Sequence, residues 1–319
     1  MKRIGNLYEQ IISIDNLNLA DKRARRGKKW QYGVINHSKN RELNILKLHK
    51  TLLNKEFKTS KYSVFTIFDK KEREIYSLSY YPDRIVHHAI LNVISSTFIR
   101  CFISQTYSCI PKRGIHKCLK DLRTALEDKD STIYCLKLDI KKYYPSINKA
   151  TLKLFLRRKF KDRDLLNLLD GIIDSNNKGI PIGNYLSQFF ANFYLTYFDH
   201  YLKEDLRIKY YYRYMDDLVV LHSNKEYLHK LREDIQDYLH NILDLELSNW
   251  QIFQTKITGI DFVGYKCFPK HTLLRKGIKK NFIKMIKYYP NDKSKASYMG
   301  WLLHCNSINL QNKYLKYDK

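Results

Sequence analysis

Two β-rich runs, residues 210–214 and 218–222, are separated only by Met215-Asp216-Asp217, and no other feature of the chain restricts its fold as much. A connection this short joins antiparallel neighbours, so the pattern predicts a hairpin with two adjacent carboxylates at its tip. A bare Asp-Asp pair is, by itself, an ordinary exposed turn. A second acidic strand alters that reading. Residues 133–140 alternate with period two, which sets Leu136, Leu138 and Ile140 on one face and Asp139 on the other. An acid on one strand facing two adjacent acids on a neighbouring hairpin is the arrangement that holds two magnesium ions, about 3.5–4 Å apart, for phosphoryl transfer.

Charge points to the partner. The 319 residues carry 58 Lys and Arg against 32 Asp and Glu, a formal charge of +26 spread along the chain, so a polyanion is expected and nucleic acid is the first candidate. Anionic lipid would also answer to the charge, but no apolar run is long enough to span a bilayer and no signal-peptide core opens the chain. No membrane partner is expected, and the chain reads as soluble and cytoplasmic. Cysteines at 101, 109, 118, 135, 267 and 305 form no C-x-x-C pair, which excludes the usual structural zinc sites and a disulfide scaffold. The 26 Tyr and 15 Phe suit stacking on bases, although any one of them is more often core.

Helical spacing over residues 9–55 predicts two helical stretches around the basic segment 21–29, whose charges serve either as a solvated face or as phosphate contacts. Residues 62–80 alternate like a strand pair joined by the charged connection 69–73, and residues 84–103 return to helical spacing. A helix is expected from Pro181 to about Leu206, an amphipathic one over 225–243, and a strand pair over 260–268. The Lys-rich segment from Leu273 onward is helical in pattern, broken near Pro290. With no repeat and no linker, one interleaved unit is expected.

Tyr214-Met215-Asp216-Asp217 between two β runs resembles the signature of reverse transcriptases. The resemblance continues, in the family's order, through Leu136-Lys-Leu-Asp-Ile-Lys-Lys-Tyr-Tyr-Pro-Ser-Ile147, Gly179 to Gln188, and Gly259-Ile-Asp-Phe-Val-Gly-Tyr265. It implies an α+β right-hand polymerase: N-terminal extension and fingers over 1–132, a palm with an antiparallel sheet over 133–268 (fingers and palm helices interleaved at 149–180), and a short helical thumb over 269–319. It also implies the site. Asp139, Asp216 and Asp217 are catalytic; Asp139 and Asp216 bridge two Mg2+ ions, for which Mn2+ substitutes, with Asp217 and the Ile140 carbonyl assisting. Arg73 (with Lys70 or Lys71), Tyr144, Ile182, Gly183, Ser187 and Gln188 bind the incoming dNTP, Tyr144 as the gate against ribose, and Gly264 and Tyr265 grip the primer. Tyr144 could instead pack under the strand, Arg73 could be solvated surface, and Ser187 could be a helix cap.

Most of the family has Gln before the glycine and Pro after the serine of the nucleotide-site helix, whereas this chain has Ile182-Gly183-Asn184-Tyr185-Leu186-Ser187-Gln188. That variant resembles the enzymes of diversity-generating retroelements, as do Arg23-Ala-Arg-Arg-Gly-Lys28, Asp83-Arg-Ile-Val-His-His88, Leu274-Arg-Lys-Gly-Ile-Lys-Lys280 and Gly300-Trp-Leu-Leu-His304. Template RNA, a DNA or RNA primer, dNTPs and a small, basic, helical, pentameric accessory protein are the partners this implies, in a bacterial or phage-encoded system. Losing a Gln hydrogen bond beside the nucleotide lowers discrimination, in keeping with misincorporation at template adenines. The rivals are a defence-associated or group II intron-like enzyme and a catalytically silent RNA-binding scaffold. At residues 247–254 the chain departs from the many polymerases of this type that carry a Lys there to protonate the departing pyrophosphate; Lys256 is the one nearby candidate, and the role is not assigned to it.

Overall fold

The computed structural model describes residues 3–69 and 71–315. Where one interleaved unit was expected, the chain resolves into two, each assembled from three separate segments: unit 1 from the chain up to Ile103, Lys141–Asp199 and Leu239–Leu245, and unit 2 from Ser104–Ile140, His200–Tyr238 and the chain from Glu246 onward.

Unit 1 is helical around Ile85–Cys101, which is apolar on several sides and buries Ile85, Val86, Ala89, Ile90, Ile94 and Phe98. Helices Ile14–Ala24 and Tyr185–Tyr194 pack against it, and Phe98 meets the rings of Phe160 and Phe193. Among the described residues its sheet is the expected hairpin, β1 (Ser63–Asp69) antiparallel to β2 (Lys71–Ser77). Residues 8–53 form more helices than the two stretches expected, with Tyr32–Lys39 and Arg41–Leu53 following the basic segment. That segment also has a structural side. Asp21 is fully buried, takes Arg25, Arg41 and the Tyr80 hydroxyl as hydrogen-bond donors, and lies 3.3 Å from His37 Nε2.

Unit 2 holds a four-stranded antiparallel sheet built from β3 (Tyr134–Ile140), β4 (Tyr210–Tyr214), β5 (Asp217–His222) and β6 (Leu247–Gln254) in the order β4-β5-β3-β6. From Leu136 onward the alternation read in β3 is the one observed: Leu136, Leu138 and Ile140 are buried while Lys137 and Asp139 are half-exposed; Cys135 is buried on the other face. Helix Ile115–Glu127 lays Cys118, Leu119, Leu122 and Leu126 into a core shared with Cys135, Val219 and Leu221. The same core takes in the three-stranded sheet of β7 (Ile260–Phe262), β8 (Tyr265–Cys267) and β9 (Thr272–Leu274), together with Phe282 and Met285 of helix Lys276–Tyr288. The break at Pro290 separates that helix from Asp292–Leu302. No helix among the described residues is long and apolar enough to cross a membrane.

Candidate active site

The three acids meet on the sheet of unit 2. Antiparallel register sets Asp139 of β3 opposite Asp217 of β5, and Tyr214 of β4 closes the hairpin against Asp217. Residues directly opposite in such a ladder share a face, so Asp217 is the cross-strand partner of Asp139. Asp216 sits in the two-residue turn, where its carbonyl accepts the Ile140 N–H at 3.2 Å. The turn is strained: Met215 has φ 58°, a left-handed conformation that a side chain disfavours by about 1–2 kcal/mol. Arg213, fully buried, steadies it from below by donating Nη1–H to the Met215 carbonyl at 3.0 Å. Its own backbone is bonded to Gln105 and Tyr107.

Electrostatics at the tip are unbalanced. Asp217 Oδ1 is buried and has no hydrogen-bond partner; the Lys137 ammonium lies 3.4 Å away. Burial, and then the neighbouring charges of Asp139 and Asp216, push the Asp217 carboxyl up to about 7, against the opposing pull of Lys137. Asp139 is oriented from the other side, since the Ser248 hydroxyl of β6 donates to its Oδ2 at 2.6 Å. Neither Lys137, Ser248 nor Arg213 was anticipated from the sequence as part of this site. Lys137 was findable, because a residue two before Asp139 on a strand must share its face.

Hard carboxylate oxygens that repel one another, one of them orphaned and buried, are the donor chemistry a divalent cation such as Mg2+ needs. Their side chains are not gathered as ligands, however: among the described residues no group of three His, Cys, Asp or Glu is arranged to hold a metal ion. The donor set fits such a cation, while Lys137 is the charge that engages Asp217.

Gly264 and Tyr265 lie at the β7–β8 turn in the same unit. Gly264, at φ 89°, is obligatory, because a Cβ there would fall 2.3 Å from the Trp301 ring. The Tyr265 side chain is buried against Trp301 and donates its hydroxyl to the Trp301 carbonyl at 3.0 Å.

Unit 1 gathers most of the residues assigned to the nucleotide. The loop Gly179–Gly183 is fixed at both ends, with Ile180 N–H donating to the Tyr144 carbonyl at 3.0 Å and Tyr76 N–H of β2 donating to the Ile182 carbonyl at 2.7 Å. Gly183 (φ 118°) lies so close to β2 that a Cβ would sit 2.5 Å from the Tyr76 carbonyl oxygen. Tyr144 is half-buried, edge-on to Tyr143 at 5.9 Å. The helix that follows starts at Tyr185 with Asn184 as its cap position, so Ser187 is not the cap; it is buried, and Gln188 is half-buried. Arg73 is exposed on β2 opposite Ile67, three residues before Tyr76, which carries the bond to the glycine loop, while Lys70 and the Lys71 side chain lie outside the described residues.

A model of the reverse transcriptase (RNA-dependent DNA polymerase) family matches residues 58–267. No curated protein matches the chain in sequence. Among solved structures it is similar to the apo telomerase of Candida tropicalis at 12% identity and TM-score 0.53, covering 72% of this chain and 50% of that one. A form of the same enzyme truncated of its C-terminal domain gives 15% and 0.52, over 68% and 55%. Telomerase of Candida albicans, in complex with a TWJ fragment of telomeric RNA, gives 12% and 0.52, over 83% and 58%. The chain thus spans about half the length of these telomerases, and what it shares with them is the α+β right-hand polymerase fold.

Proposed function

Because the chain belongs to the reverse transcriptase (RNA-dependent DNA polymerase) family, we propose that it is an RNA-directed DNA polymerase that extends a primer on an RNA template. The observation that carries this reading is the antiparallel pairing of Asp139 with Asp217 at a hairpin tip that also bears Asp216. Nucleotide addition develops negative charge on phosphate oxygens, and bound magnesium supplies the Lewis acidity that offsets it. Asp139 and Asp216 would hold it, with Asp217 and the Ile140 carbonyl assisting. Ser248 orients Asp139, and Arg213 keeps the tip in its strained shape. Tyr144 stands against a 2′-hydroxyl, Ile182, Gly183, Ser187 and Gln188 line the nucleotide, Arg73 meets the triphosphate, and the backbone at Gly264 and Tyr265 holds the primer. On this reading fingers occupy residues up to 132, the palm 133–268 and the thumb the rest.

The Ile182-to-Gln188 variant and the accompanying motifs favour a finer assignment: copying of a template-repeat RNA into cDNA, error-prone at adenines, for diversification of a target gene. A small, basic, pentameric helical protein would assist, in the cytoplasm of a bacterium. The test is incorporation of each dNTP on a primed RNA template with all four bases, beside Asp216→Ala. Products lost in that variant, with errors concentrated opposite adenines, are expected. Accurate synthesis would refute the mutagenic assignment, and synthesis that survives Asp216→Ala would refute the site.

A further inference from the structure

Lys137 serves two partners. It lies on β3 two residues before Asp139, on the same face, and from there its ammonium reaches Asp217 Oδ1 of β5 at 3.4 Å and donates to the Asp261 carbonyl of β7 at 2.6 Å. Asp261 leads further. Its carboxylate is paired with Arg275 Nε, and the Arg275 N–H donates to the Gly264 carbonyl at 3.0 Å at the position that caps helix Lys276–Tyr288. One ammonium therefore joins a carboxylate of the catalytic sheet to the β7–β8 hairpin, and that hairpin to the helix beyond it, all inside unit 2. A lysine is suited to this, because its three donors sit on a flexible stem and can be shared between acceptors.

We propose that Lys137 is a positioning residue that acts as a built-in counter-cation for Asp217 when no metal is bound and, through Asp261, couples metal loading to the primer-binding hairpin. The proposal rests on the polymerase reading given above. Its physical core is competition. An ammonium 3.4 Å from a metal-holding carboxylate repels an arriving divalent cation. Once that cation neutralises Asp217, the ammonium is left to Asp261, which steadies the hairpin. By linkage, what metal does for duplex binding, duplex does for metal binding.

The test uses the full chain, with Mn2+ alone titrated by electron paramagnetic resonance and a DNA primer on an RNA template titrated by fluorescence anisotropy. Lys137→Met keeps the stem and removes the charge; Lys137→Arg keeps the charge. Tighter Mn2+ binding in Lys137→Met, on the order of tenfold from removing one charge beside a divalent ion, is expected together with severalfold weaker duplex binding. Mn2+ should also strengthen duplex binding in the parent and in Lys137→Arg but no longer in Lys137→Met. A merely structural lysine would weaken both ligands on removal, and that result, or unchanged Mn2+ affinity, would overturn the proposal. Asp139→Ala and Asp216→Ala separate the two levels: if they leave Mn2+ binding intact, the polymerase reading of the site falls; if they abolish it while Lys137→Met changes nothing, only the role of Lys137 falls.

Discussion

Asp217 is a half-buried acid with one carboxylate oxygen shut away from solvent and an environment that works against its charge, so Asp217→Asn should stabilise the metal-free protein. Burial and the adjacent Asp139 and Asp216 raise its carboxyl from 3.8 to about 7. A carboxyl raised in the folded state favours folding below its unfolded value and loses that advantage as pH climbs through the folded value. The window therefore runs from about pH 4 to about pH 7. At about 1.36 kcal/mol for each pH unit, a rise from 3.8 to about 7 amounts to roughly 4 kcal/mol by pH 8. Asparagine has the same shape and no charge, so the variant escapes that penalty. Thermal melts in EDTA between pH 4 and 9 should show the two proteins converging at the acid end and the variant ahead by roughly 5–10 °C at pH 8. Adding Mg2+ should then raise the parent and leave the variant nearly unmoved, since the ion relieves a repulsion the variant no longer has. A difference that is flat with pH, or a parent more stable than the variant at pH 8 without metal, would refute the reasoning.

Asp21 predicts the opposite pH behaviour. Burial would raise its carboxyl, but His37, Arg25, Tyr80 and Arg41 together hold it well below the usual range; its contribution is complete above about pH 3.9 and lost as pH falls further, and Asp21→Ala should cost roughly 3–5 kcal/mol in neutral denaturant melts. Gly183→Ala should destabilise by roughly 1–3 kcal/mol, because the added carbon meets the Tyr76 carbonyl and the φ of 118° excludes side chains; denaturant midpoints at fixed slope would show it. Ser248→Ala removes the hydroxyl that orients Asp139. A loss of about 1 kcal/mol, some fivefold in kcat with KM for dNTP unchanged, is expected in steady-state incorporation, and Ser248→Thr should restore it.

Periodicity carried the sheet and the helices because it reports burial directly. β3 read correctly since Leu136, Leu138 and Ile140 share one face opposite Asp139, with Cys135 alone buried on the Asp139 side, and the 210–222 hairpin since its turn is too short for any other connection. β6 gave no such signal: Leu247–Gln254 contains no charged residue and is half or wholly exposed along its length, so neither face stood out. Ser248 was hidden with it. Arg213 was illegible for a different reason, because a charged residue in a strand reads as solvent-facing and only tertiary structure reveals that it lies fully buried under the turn. Asp21 was lost in the surrounding basic run for the same reason. Tyr265 illustrates the converse, a residue of a recognisable motif whose side chain is committed to packing on Trp301.

Asp21 and Asp217 show what would separate a carboxylate that holds a cation, as proposed for Asp217, from a structural one. Burial alone does not, since Asp21 is the more deeply buried of the two. Asp21 is enclosed by hydrogen-bond donors, its charge is stabilised, and the surrounding helices gain from its ionisation. Asp217 has an orphaned oxygen, two acidic neighbours, and a position beside a turn that holds Met215 in a left-handed conformation. Each of these features costs on the order of 1–3 kcal/mol, and a hairpin selected for stability alone would carry Asn-Gly at its tip. Local conflict concentrated at one turn of an otherwise regular sheet is expected where an external charge completes the arrangement. Adding a cation should therefore stabilise the region around Asp217 and leave the region around Asp21 unaffected, which hydrogen exchange with and without Mg2+ would resolve residue by residue. Equal protection of both regions would mean that Asp217 is merely a poorly placed acid.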